Sequence, residues 1–436
     1  MALLEKIFKL SYYKTNPKTE SIAGLSTFLT MVYIIFVNPA ILSQAQMDPG
    51  AIFVATCLVT ALGCFLSGLL SNYPLAVAPA MALNAYFAFV VVQGMGYSWQ
   101  SGLGAVFISG VLFFVVAVTP MRRWLIDAIP DTMHMAIAAG LGLFIAMLGL
   151  KGGGLIVSNP NTLLSLGNVY SVPVILFFTG FCVITALDYL RVRGAIVIGI
   201  LFVTFIGMMI GSVHYHGIFA MPPSLSPSFM QCRIEGLFSH NGFSIIFAFF
   251  LVSLFDSTGT FIGMLRQANL LDKSKKSAKQ LSRGLAATSI ASVAGGLLGT
   301  SSCSPYCESA AGMRAGGRTG LTACVVAALF LLALFFSPLA STIPPYAAAS
   351  AMLFVGCLMI KTFTQFDWND MTETIPSVIT AIMIPLSFSI AVGIGIGFIS
   401  YVLIKLLTGK IKQVHPVLVI WAFIFIAYFV TIKQLG

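Results

Sequence analysis

Long apolar runs follow one another along this chain with only short polar turns between them. They lie at about 21–43, 51–72, 76–93, 101–118, 133–150, 172–189 and 194–213. After a polar stretch come 242–264, 284–299, 300–318, 319–336, 346–361, 375–389 and 391–407, with one more at 417–432. A helix crossing a bilayer core of about 30 Å needs roughly 20 such residues, so the shorter runs must be broken or cross only in part. At 436 residues with 58% apolar and 8% charged, the chain reads as an all-α polytopic membrane protein rather than a string of soluble domains.

Charge sets the orientation. With the N-terminus inside and one crossing at each run, Lys6, Lys9, Lys14, Lys18, Arg122, Arg123, Arg191, Arg193, the cluster from Arg266 to Arg283, Arg314, Arg318, Lys361, Lys405, Lys410 and Lys412 all fall on one side. Only Lys151 and Arg233 fall opposite, and Lys433 depends on the last run. Basic residues collect in cytoplasmic loops, so the N-terminus is expected in the cytoplasm and the chain in the inner (plasma) membrane. The same scatter over loops, with no basic face, argues against nucleic acid as the partner of a +10 chain. The basic, amphipathic N-terminus has no cleavage site and does not read as a signal peptide.

Up to Leu407 the pattern gives 14 transmembrane segments. Seven crossings (21–213), a connecting loop outside (214–241) and seven more (242–407) force the second half to insert upside down, giving two inverted 7-segment repeats. Residues 1–20 form a cytosolic segment, and 408–436 an apolar segment of open placement. Inverted repeats with interrupted helices at corresponding positions point to a transporter with a midplane site. The third run of each half is interrupted in this way, by Pro79 in LAVAPAMALNAYFAF and by Pro305 in TSSCSPYCESAAGMRAGG.

Two acids lie inside runs, Asp256 in FAFFLVSLFDSTGTFIGML and Glu308 in GTSSCSPYCESAAG. A carboxylate at mid-membrane costs roughly 2.5–3.5 kcal/mol on insertion scales and ordinarily faces a bundle interior or substrate path. Either acid could instead cap a helix, Glu308 that of its own half-helix and Asp256 a break at S-T-G-T. Asn84, five residues after Pro79, adds an amide acceptor and two donors, or simple inter-helical glue. Two carboxylates and an amide suit a neutral heterocycle with ring N–H groups, or a cation, and fit an inorganic anion poorly.

Other features carry less. GGGL at 152–155 is a flexible outer turn, and KSKKSAKQLSR a topology-setting loop. The cysteines read as small buried hydrophobes. His134, His214, His216, His240 and His415 lack ligand spacing, so no metal site is expected. No cofactor is expected, and no nucleophile–base pair indicates an enzyme.

The strings STFLTMVYIIFVNPAIL (26–42), APAMALNAYFAF (78–89), LFDSTGTFIG (254–263) and ESAAGMRAGGRTGLTA (308–323) resemble the AzgA-like adenine/guanine/hypoxanthine permeases, the purine branch of the nucleobase–cation symporters. The resemblance runs from about 20 to 410. It implies a core domain (21–118 and 242–336), a gate domain (133–213 and 346–407) and short strands before broken segments 3 and 10. It places substrate contacts on Asn84, Asp256 and Glu308, with Tyr306 and Cys307 beside them, and the coupling proton (H+) on Asp256 or Glu308. It further implies a purine base as substrate, the lipid bilayer as setting, and a homodimer. The expected function is therefore proton-coupled purine import by an elevator-like core-against-gate movement. The alternative is an anion exchanger or channel of the same architecture.

Overall fold

Helix starts follow the polar punctuation between the apolar runs. Asn16 accepts the Thr19 N–H at 2.9 Å and Pro17 takes the first helical position of Pro17–Met31. Asp48 and Pro49 open Pro49–Ser71 in the same way, with Asp48 accepting the Ala51 N–H at 2.7 Å, and Ser98 opens Trp99–Val118. Each cap satisfies an N–H that the helix itself leaves free, and proline fits where no N–H is needed.

The computed structural model describes residues 2–119, 130–159, 163–215, 217–238, 240–268, 270, 275–365, 368–387 and 389–433. Arg122, Arg123, Lys273 and His216 lie outside the described residues. Among those described, ten helices are long and apolar enough to cross a membrane, and four shorter apolar ones accompany them. The chain is a multi-pass membrane protein.

The expected runs recur as helices, with four departures. First, the run at 21–43 is two helices, Pro17–Met31 and Ile34–Leu42, broken at Val32 and Tyr33. There Ile35 and Phe36 bond back only three residues, to the Val32 and Tyr33 carbonyls, which tightens and redirects the chain. Second, the first helix begins before residue 21 and so takes in Glu20, a third acid within the bundle and a fully buried one. Its carboxylate accepts the Arg318 and Thr319 N–H groups and the Thr322 hydroxyl, capping Gly320–Ala333 from another helix. Third, the turn after Gly154 leads into a hairpin, Ile156–Asn159 paired antiparallel with Leu163–Leu166. Fourth, Cys182 and Cys357 are exposed on helix surfaces while Cys57, Cys64 and Cys303 are buried. Apolar composition does not separate lipid-facing from inward positions.

Close packing relies on small residues. Helices Asp131–Gly152 and Pro345–Ile360 cross at Gly142 and Gly356, where a Cβ on Gly142 would stand 2.9 Å from the Gly356 carbonyl oxygen. Such crossings suit bilayers, where backbone approach replaces the hydrophobic drive. Asp131–Gly152 also packs along Met371–Leu386, while Lys275–Leu298 packs on Pro49–Ser71 and Trp99–Val118.

In the middle of the bundle the chain twice leaves helical geometry. Strands Val77–Pro79 and Cys303–Pro305 pair antiparallel, with Val77 opposite Pro305 and Pro79 opposite Cys303. Two further bonds extend the ladder, Ala80 N–H to the Ser302 carbonyl and Tyr306 N–H to the Ala76 carbonyl, both 2.9 Å. Non-helical backbone at membrane depth must find partners within the protein, and each strand supplies the other's. The strands expected before the two half-helices are therefore present. Beyond them run Met81–Gly94, which ends in a π-helical stretch, and Ser309–Arg314.

Candidate functional site

The strand pair delivers two half-helices to one cavity of about 70 Å³, room for a handful of waters. Ala80, Met81 and Ala82 line it from one half-helix, and Ser304 through Glu308 from the other. Asp256 and Thr260, one turn apart on His240–Gln267, form a third wall. The fourth is apolar: Leu141 and Ile145 from Asp131–Gly152, Val355 and Met359 from Pro345–Ile360.

Glu308 occupies the residue before Ser309–Arg314, with helical backbone angles and no capping bond from its side chain. The carboxylate faces the cavity. Oε1 accepts the Tyr33 hydroxyl at 2.5 Å and Oε2 the Cys307 thiol at 3.4 Å. The break in the first segment puts fully buried Tyr33 there, and Thr30 of the same segment reaches the Glu308 carbonyl at 3.4 Å. A carboxylate has about four lone-pair directions, so two donors leave capacity for a ligand's N–H groups.

Asp256 lies inside an unbroken helix, so the S-T-G-T stretch is no break and Asp256 caps nothing there. Its half-buried carboxyl faces the cavity with the Ser304 hydroxyl against it. Tyr306 packs its ring on the cavity wall and donates its hydroxyl to the Pro79 carbonyl at 2.6 Å, cross-bracing the two half-helices. Cys307 is exposed in the same cavity.

Of the residues singled out in the sequence, Asp256, Tyr306, Cys307 and Glu308 share this cavity, and Asn84 does not. Asn84 is fully buried, its Oδ1 accepting the Ser301 hydroxyl and its Nδ2 without a partner among the described residues. It ties the first half-helix to the linker ahead of the second strand. Tyr33 and Thr260 belong to the site and were not anticipated. Thr260 follows Asp256 by four residues, the spacing that puts two side chains on one helix face. Tyr33 sits inside a quoted string, but the helix break that aims it has no glycine or proline at the break itself.

A cavity that holds two carboxyl groups between two broken helices of an apolar bundle suits a membrane permease, and the relatives are permeases rather than enzymes. The chain belongs to the Permease family whose model, Xan_ur_permease, matches residues 18–396. It is similar to adenine permease AdeP of Escherichia coli (strain K12), 47% identical over 97% of this chain and 95% of that protein. Guanine/hypoxanthine permease PbuG of Bacillus subtilis (strain 168) is 42% identical over 99% of this chain and 100% of its own length. In fold the chain resembles the transmembrane domain of a cyanobacterium bicarbonate transporter, BicA, at a TM-score of 0.68 and 13% identity, covering 87% of this chain and 96% of that one.

Proposed function

We propose that this permease imports purine nucleobases, adenine, guanine or hypoxanthine, by proton symport across the plasma membrane. The observation that carries the reading is the pair of carboxylates, Asp256 and Glu308, converging on one cavity with an apolar opposite wall. A flat heterocycle presents ring N–H donors to the acids and an apolar face to Leu141, Ile145, Val355 and Met359. The names of the sequence relatives point to the same substrates.

Symport links the two loads when protonation of a carboxyl group in the cavity and binding of the base favour the same state, so that each raises the affinity for the other. In this reading Glu308 holds the base and Asp256 or Glu308 carries the coupling proton. The protein is read as 14 crossings in two inverted halves, with a core (21–118 and 242–336) moving against a gate (133–213 and 346–407). The cavity supports this division, since its polar side chains all come from the proposed core and the proposed gate contributes only apolar ones. The anion-exchanger alternative is not favoured: the bicarbonate transporter shares the fold alone, and two acids repel an anion.

Uptake of radiolabelled hypoxanthine, adenine, guanine and uracil by cells expressing the protein, with and without a protonophore, tests the reading. Purine uptake that collapses with the uncoupler is expected. Purine uptake insensitive to it would remove proton coupling, and no purine uptake at all would remove the substrate class.

A further inference from the structure

Ser253, Ser302 and Asn84 are buried next to the cavity without lining it. Ser253 Oγ, Ser302 Oγ and Asn84 Nδ2 have no hydrogen-bond partner among the described residues. A serine inside a helix ordinarily returns its hydroxyl to a carbonyl three or four residues back. Ser109, Ser289, Ser292 and Ser350 do so here, at 2.7–3.1 Å, and Ser253 does not.

Backbone geometry brings the three to one side of Asp256. Ser253 precedes Asp256 by three residues on His240–Gln267, so the two share a face of that helix. Phe249, one turn further back on this face, packs edge-on against Tyr86. Asn84 falls between Ala82, which lines the cavity, and Tyr86, just as Ser253 falls between Asp256 and Phe249 on the opposing helix. Ser302 stands two residues before Ser304, and its carbonyl continues the strand ladder, so both side chains leave on one face. The Ser304 hydroxyl is the one set against the Asp256 carboxyl, and Ser301, next to Ser302, donates to Asn84. Ser257 and Thr258 also lack partners but are turned about 100° and 200° from Asp256 around the helix.

Buried polar atoms of this kind are ordinarily satisfied by an internal water with two to four polar partners. An amide N–H, two hydroxyls and a carboxylate oxygen match the two acceptor and two donor directions of one water. A bare cation fits poorly, because Asn84 presents N–H groups there and gives its oxygen to Ser301.

We propose that Ser253, Ser302 and Asn84 hold an ordered water against Asp256, outside the base cavity, and that this water sets the pH at which Asp256 releases its proton. The inference rests on the proton-symport reading and deepens it by placing the coupling proton on Asp256. A water donating to the carboxylate favours its ionised form, so losing that water keeps Asp256 protonated to higher pH. The titratable groups facing Asp256 are Glu308, Tyr306 and Cys307 in the cavity, with His134 edge-on to neighbouring Phe255. Trp99–Val118 and Met81–Ala85, packed on the same helix, carry none. The basic residues of Lys275–Leu298 lie in its first nine positions, and Tyr401 and Lys405 of Ile390–Leu407 are engaged with Glu373. The two serines therefore act through a water and not through another charge.

The test is uptake of radiolabelled adenine by proteoliposomes of the purified full-length protein, measured across a range of pH. Wild type is compared with Ser253→Ala, Ser302→Ala, the double variant and, as a control, Ser289→Ala, whose hydroxyl bonds the Ala286 carbonyl. Each single variant is expected to move the midpoint of the pH profile upward by about one unit, a tenfold change in proton affinity. The double variant should match the singles, because one water needs both hydroxyls. Equilibrium base binding at acidic pH should stay at wild type in all of them. An unmoved midpoint in both singles, a doubled shift in the double variant, an equal shift in Ser289→Ala, or base binding lost in parallel overturns the inference and leaves proton symport standing. So does an experimental density map of the wild type in which the three side chains enclose no water. Wild-type uptake independent of pH overturns proton coupling, and this inference with it.

Discussion

Tyr33 and Glu308, 275 residues apart in the chain, meet through a hydrogen bond of 2.5 Å in which the phenol donates to the carboxylate. One residue sits at the break in the first segment and the other at the start of a half-helix, so the bond fastens the first segment to the cavity wall. Hydrogen bonds to charged groups contribute about 1.5–3 kcal/mol, and one this short holds Glu308 in a single orientation. Tyr33→Phe is therefore expected to weaken base binding about tenfold while the folded protein persists in detergent. Size-exclusion profiles together with equilibrium binding check this, and unchanged binding would show the contact to be dispensable.

Asp256 and Glu308 are expected to divide their task. Asp256→Asn preserves shape and removes the titrating group. Its uptake should lose dependence on an imposed pH gradient more than it loses affinity for the base. Proteoliposomes with the gradient present or collapsed measure this directly. Gradient-driven accumulation equal to wild type would assign the proton elsewhere.

An ion pair with a buried lysine and a partly buried glutamate joins three further helices. Lys405, 1% exposed, lies 2.7 Å from Glu373, which also accepts the Tyr401 and Thr132 hydroxyls. Those bonds join Asp131–Gly152, Met371–Leu386 and Ile390–Leu407. Removing one partner of a buried pair leaves the other charge uncompensated, at a cost of about 3–5 kcal/mol. Lys405→Ala should lower the thermal midpoint in detergent by several degrees, whereas Lys410→Ala, at an exposed position, should not.

Much of this arrangement was legible in the sequence, and the limits have identifiable causes. Prolines 79 and 305 flagged both interrupted segments, because a proline in an apolar run ends regular helix. Asp256 and Glu308 stood out through the cost of placing charge in hydrocarbon. Glu20 escaped notice because it lies one residue before the first apolar run, and hydropathy blurs helix ends. The resemblance puts Asn84 on the ligand while its chemistry leaves inter-helical glue open, and whether an amide faces a cavity or a neighbouring serine depends on helix rotation, which spacing alone does not set. Tyr33 was hidden for a related reason. The break that aims it shows only in backbone bonding.

The orientation expected from the distribution of basic residues is open to labelling. Cysteines introduced at Ser11 and Ser158, both exposed, should differ in reactivity toward a membrane-impermeant maleimide applied to intact cells. Ser158→Cys is expected to react and Ser11→Cys to react only after permeabilisation. The reverse pattern would invert the topology.

The central claim is that the cavity between the two half-helices binds a purine base through Glu308. Equilibrium binding of radiolabelled adenine and hypoxanthine to purified protein, wild type against Glu308→Gln, tests it most directly. The substitution keeps size and one acceptor but removes the charge, so affinity is expected to fall roughly ten- to hundredfold, the equivalent of about 1.5–3 kcal/mol. Binding by Glu308→Gln indistinguishable from wild type would contradict the account.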